Sequence, residues 1–164
     1  MGLFCSVCST DVNAVQSIFV GGLDYGTPAF WQNRLYFASS ETQMKLFTFD
    51  PASTQLSASP ASQTAVTFHF PGPTPVVSAS GASNGIVWGA EVSAYGVPSA
   101  FRSGPAVLHA YDATNLATEL WNSSQSGSRD TAGNAVKFVV PTVANGKVYL
   151  GTRTEIDVYG LLPN

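Results

Sequence analysis

The chain is 164 residues long, enough for one ordinary domain, with 45% hydrophobic but only 10% charged residues and a formal net charge of −3. Its seven basic residues are scattered from Arg34 to Arg153 and form no patch, which argues against a nucleic-acid or anionic-membrane partner. No apolar run approaches the roughly 18 to 20 residues of a membrane span, and the scarcity of Glu, Lys and Arg favours strands and turns over helices.

Residues 1–20, "MGLFCSVCSTDVNAVQSIFV", contain no Lys or Arg and no unbroken apolar core, so they lack the form of a secretory signal. Cys5 and Cys8 make one C-x-x-C, but no second ligand pair lies nearby, since His69 and His109 are distant in sequence. The pair reads as two incidental thiols in a poorly ordered leader, and no metal site is expected. Residues 17–22, "SIFVGG", offer instead a strand that closes the sheet at the other terminus.

From residue 21 onward the chain reads as three units, about 21–70, 71–125 and 126–164. Each opens on a proline-led stretch: "PAFWQNRLYFAS" from Pro28, "PVVSASGASNGIVWGA" from Pro75 and "PTVANGKVYLGT" from Pro141. Tight hairpins are expected at Asn33-Arg34, Asn84-Gly85 and Asn145-Gly146, because Asn and Gly tolerate the positive φ such turns require. Half-buried strands should follow over Leu35, Tyr36 and Phe37, then Ile86, Val87 and Trp88, then Val148, Tyr149 and Leu150. A third strand is predicted at "KLFTFD", "VLHAYDA" and "EIDVYG", and a fourth around Leu56 and at "ELWNSS" from Glu119. The last unit stops before a fourth.

Units of about 40 to 50 residues with four short antiparallel strands predict an all-β fold, a partial β-propeller of about three blades. The alternative is a β-sandwich, which also consists of short strands at turn-bounded spacing. Asp50 and Asp112 end third strands, where a carboxylate accepts N–H bonds from the next turn, and Trp121 offers a large face for packing between units. The middle unit carries an insertion, residues 91–105, with Tyr95, Phe101 and Arg102, and the stretch "SGSRDTAGNAVKF" adds Arg129, Asp130, Asn134 and Lys137. These two loops form the candidate ligand or partner surface, since insertions on repeat scaffolds often line the binding face.

In "AYDATNLATELW", Ala110, Asp112, Ala113, Thr114, Leu120 and Trp121 follow the blade motif of pyrroloquinoline-quinone-type propellers, with Asn115 where Gly is usual. The chain from about Gly26 onward resembles that quinoprotein-like repeat family, and "VANGKVYLGT" looks like its second strand. The resemblance implies a bacterial, extracytoplasmic protein, periplasmic or secreted, although a complete chain without a signal would stay in the cytoplasm. Three units fall short of a ring, so the expected role is a non-catalytic scaffold or binding module. It would be the C-terminal part of a larger propeller protein or a self-assembling partial one, with further blades or other copies as partners.

The alternative is a fragment of a quinone-dependent oxidoreductase, and only then would pyrroloquinoline quinone and Ca²⁺ be involved. No cofactor is otherwise predicted. No G-x-S-x-G elbow, phosphate loop or H-E-x-x-H helix occurs, and no catalytic residue is assigned.

Overall fold

Asn145 and Gly146 both adopt positive φ, 51° and 69°, and this turn folds β10 (Thr142–Ala144) back on β11 (Lys147–Gly151). The computed structural model, which describes residues 14–96 and 103–160, repeats that hairpin unit in three antiparallel sheets. Among the described residues there is no α-helix, only a 3-10 turn at Gly127–Arg129, so the fold is all-β.

Sheet one contains β1 (Ala29–Trp31), β2 (Arg34–Ala38), β3 (Thr42–Asp50) and β5 (Ser62–Phe68), with the two-residue β4 (Gln55–Leu56) hanging from the end of β3. Sheet two is a four-stranded meander of β6 (Val76–Ser80), β7 (Ser83–Glu91), β8 (Val107–Asp112) and β9 (Asn115–Asn122). Sheet three is β10, β11 and β12 (Ile156–Tyr159).

Three local expectations are corrected. The first hairpin turns on Gln32 and Asn33, both at positive φ (48° and 56°), one residue earlier than predicted. The second turns on Gly81 and Ala82, not on Asn84-Gly85. Asn84, at φ 55°, and Gly85 lie in β7 opposite Ala79, where the register slips between Ser78 and Ser80. This is a β-bulge.

Gly85 serves that bulge by having no side chain: a Cβ there would stand 2.6 Å from the indole ring of Trp31, whose Nε1–H donates to the Gly81 carbonyl at 3.0 Å. The third correction is the fourth strand of sheet one. It is β5, which pairs along β3, while the Leu56 segment adds only a two-residue bridge.

Strand alternation puts successive side chains on opposite faces, and the three sheets use it identically. In sheet one, Tyr36, Ala38, Met44 and Leu46 point toward sheet two and bury there with Phe68, Val87, Tyr111 and Leu116. In sheet two, Trp88, Ala90 and Leu108 point toward sheet three and pack on Val148 and Leu150. Sheet two is therefore covered on both faces. Trp121 joins the second interface, edge-on to Tyr159 at 5.4 Å between ring centroids. Each fully buried Leu, Met or Phe contributes roughly 1.5 to 3 kcal/mol relative to exposure.

On the far face of sheet one, Leu35, Phe37, Phe47 and Leu56 are covered by the preceding segment through Gln16, Ile18 and Val20. Residues 17–22, read from sequence as a closing strand, make no strand ladder.

Two buried tyrosines at the first interface differ in one bond. The Tyr36 hydroxyl donates to the Ala113 carbonyl at 2.8 Å, and burial pushes its pKa up to about 12. The Tyr111 hydroxyl is buried without a hydrogen-bond partner among the described residues. Deleting a bonded hydroxyl orphans its acceptor, whereas deleting an orphan removes a desolvation cost of about 1 to 3 kcal/mol. Tyr36→Phe is thus expected to destabilise by about 1 kcal/mol and Tyr111→Phe to stabilise by a similar amount. Urea titration of the two variants beside the parent protein measures both signs.

Candidate functional site

The connections that lead into β1, β6 and β10, together with those between β2 and β3 and between β7 and β8, supply one cluster of side chains. Its frame is a pair of carboxylates that grip the chain at His69 and Phe70. Glu41 sits in the tight turn before β3 at φ 62°, and its main-chain N–H donates to the Phe68 carbonyl at 2.7 Å. Its carboxylate accepts the Phe70 N–H at 2.9 Å and lies 2.7 Å from His69 Nδ1. From the end of β7, Glu91 accepts the His69 N–H at 2.9 Å and the Ser93 N–H at 2.7 Å. Charge-assisted bonds of this kind are stronger than neutral ones, so these acids act as clamps.

The clamp presents Phe70 to rings from neighbouring connections. Tyr25, which precedes β1, and Phe138, which precedes β10, meet it and each other, with centroid separations of 5.0 Å (Tyr25–Phe70), 6.4 Å (Phe70–Phe138) and 6.2 Å (Tyr25–Phe138). One aromatic residue thereby stands a few positions ahead of the first strand of each sheet. Tyr95 adds a fourth ring, 6.0 Å from Phe70. The ammonium of Lys137 stands 4.2 Å from the Tyr95 centroid and 5.1 Å from that of Phe70, a cation–π arrangement. Beside them is an open cavity of about 380 Å³ lined by Glu41, His69, Ser93 and Ala94.

The insertion and the 126–138 stretch do come together through the main chain. Pro105 bridges Asn134, the Ala135 N–H donates to Gly104 and the Ala106 N–H to Gly133. Asn134 itself accepts from the Arg153 N–H at 2.9 Å, and Arg153 Nη2 donates to the carbonyls of Tyr95 and Gly96. Tyr95 thus joins the aromatic cluster directly, with its backbone pinned from sheet three.

Arg129 and Asp130 instead pair with each other through two 2.7 Å bonds, and that pairing holds the Asp130 carboxyl below the usual carboxylate range. They sit beside sheet three, where the Tyr159 hydroxyl donates to the Asp130 carbonyl at 3.2 Å. Phe101 and Arg102 lie outside the described residues, as do Cys5 and Cys8.

Asp50 accepts bonds from Ala52 and Ser53, and Asp112 accepts two from Thr114 at 2.7 Å. These bonds lower both carboxyl pKa values, side-chain hydroxyl first. His109 is buried at the first interface, stacked on Tyr111, with Nδ1 2.6 Å from Glu119. Sequence reasoning missed Glu41, Tyr25, Phe70 and Phe138. The available signal was an aromatic residue a few positions ahead of the proline that opens each unit: Pro28, Pro75 and Pro141.

Among the described residues no group of three or more His, Cys, Asp or Glu side chains is disposed to hold a metal ion, and no helix is long and apolar enough to cross a bilayer. Comparison with protein-family models, curated proteins and solved structures finds no match.

Proposed function

We propose that the chain is a non-catalytic segment of a β-propeller, a scaffold or binding module whose outer faces are completed by further blades of the same kind. The observation that carries this reading is the repeated register. Tyr36 and Ala38 in β2, and Trp88 and Ala90 in β7, occupy equivalent positions and pack on the next sheet. First strands adjoin, β1 beside β6 and β6 beside β10, and the last strands β5 and β9 of the first two sheets adjoin as well. Three successive sheets with the middle one covered on both faces favour a repeated array over a two-sheet sandwich. The aromatic cluster with Lys137 is then the ligand face of the module. Its acids are engaged by main-chain N–H groups and His69, which favours holding a shape over transferring protons.

In β11 and β12 the equivalent outward positions are Tyr149, Gly151, Ile156 and Val158, and Ile156 and Val158 are 69% and 53% exposed. An apolar face of this kind marks an interaction site. The protein is expected to bind the apolar dye anilinonaphthalene sulfonate through it, and the double substitution Ile156→Asp and Val158→Asp to cut the fluorescence several-fold. No dye binding by the folded parent in its one-copy state would sink the reading.

A further inference from the structure

The outer face of sheet one is equivalent to the face that sheet two turns toward sheet one. Leu35 and Phe37 stand where sheet two has Val87 and Gly89, and Phe47 stands where it has Tyr111. In a propeller a preceding blade covers this face. Here a single extended segment does so, with Ile18 and Val20 turned inward and Phe19 outward at 95% exposure.

The segment imitates a neighbouring sheet only in part. The Gln16 side-chain amide both donates to and accepts from the backbone of Leu56 at 2.8 Å, and Lys45 Nζ donates to the Val20 carbonyl at 2.6 Å. Between it and the sheet lies an open cavity of about 220 Å³ lined mainly by apolar side chains. The segment joins the body through Gly21 and Gly22, both at positive φ, and the Leu23 carbonyl then accepts from the Ser40 N–H.

Resting on the propeller reading, we propose that this segment is a displaceable stand-in for a blade, and that its competitor is a second copy of the chain. With the segment released, the Tyr149, Ile156 and Val158 face of each copy packs on the Leu35, Phe37 and Phe47 face of the other. Two copies related by a two-fold axis then close a ring of six sheets, within the usual range of about four to eight. Both new interfaces repeat the register already seen between sheets one and two and between sheets two and three. An extended strap also covers the face less fully than a sheet, and the open cavity beside it leaves Leu35 and Phe37 only partly buried. While tethered, the strap competes at an effective concentration near the millimolar range, which keeps the single copy favoured in dilute solution.

Size-exclusion chromatography with light scattering, over a range of protein concentrations, tests this. Ile18→Ser with Val20→Ser weakens the strap at its apolar anchors. Gly22→Val dislodges it independently, because a Cβ at that φ of 65° runs into the Ser40 carbonyl oxygen. Both are expected to tighten two-copy association at least about tenfold. Adding Ile156→Asp and Val158→Asp, or an excess of a synthetic peptide of residues 14–22, should restore the one-copy mass.

The proposal is overturned if both strap variants melt cooperatively yet stay single at every concentration, or if a two-copy species survives the aspartates. Self-association of the parent through sheet three with the strap in place would overturn the strap's role and leave the propeller reading standing. Failure of dye binding at sheet three by the parent in its one-copy state would remove the propeller reading by itself.

Discussion

Phe68→Ala is expected to give the largest loss of stability of any single truncation at the first interface. Phe68 ends β5, is fully buried, and sets its ring edge-on to His109 at 5.5 Å, among Tyr36, Val87 and Tyr111. Its backbone pairs with Thr42, and its carbonyl receives the Glu41 N–H, so its main chain cannot shift to fill a cavity without moving the turn that holds the clamp. Phe-to-Ala changes at such sites cost about 3 to 5 kcal/mol, from lost transfer energy plus an unfilled cavity.

Against a total of about 5 to 15 kcal/mol for a domain, that is a large share. The urea midpoint should fall accordingly, and Phe68→Leu should recover most of the loss by refilling the volume. A cost below about 1 kcal/mol for the alanine variant would show that the ring does not belong to the core.

Three features of the chain were legible in its sequence for one reason. Alternation of large apolar residues reports strands directly, so β2, β7 and β11 with their partners fall where the pattern puts them. Turns were less legible. Asn and Gly signal positive φ without saying whether it serves a hairpin or a bulge, and at Asn84 and Gly85 it serves a bulge that admits Trp31. The fourth strand of sheet one was missed because "SQTAVTF" has a mixed burial pattern, with Thr64 buried and its hydroxyl bonded to the backbone of Met44.

The candidate site was half visible. Tyr95 and Lys137 lie in loops that drew attention by their length and composition, and they do meet. Tyr25, Phe70 and Phe138 come from the connections that lead into three separate sheets, and only the stacking of the sheets brings them within ring contact. Glu41 and Glu91 are ordinary surface acids in the sequence. Their function as clamps depends on where His69 and Phe70 pass in space.

Leu150→Ala is expected to act on the second interface and to reveal how the units share stability. Leu150 is fully buried in the central strand of sheet three and packs with Ala90, Leu108 and Val148, so its truncation should cost about 2 to 5 kcal/mol. Where the cost falls depends on the architecture. In a stacked array each unit touches only its neighbours, and stability is a sum of intrinsic and nearest-neighbour terms.

Sheet three is the weakest unit on that account: it has three strands among the described residues, one apolar face open, and a single neighbour. Leu150→Ala should therefore lower amide-exchange protection at Val148, Leu150 and Val158 by orders of magnitude while Tyr36 and Leu46 keep theirs, since local opening follows local contact. Phe68→Ala should reduce protection across sheets one and two together. Equal loss of protection in all three sheets in the Leu150→Ala variant would mean that the chain unfolds as one body. The open face of sheet three would then contribute nothing to the order in which the units come apart.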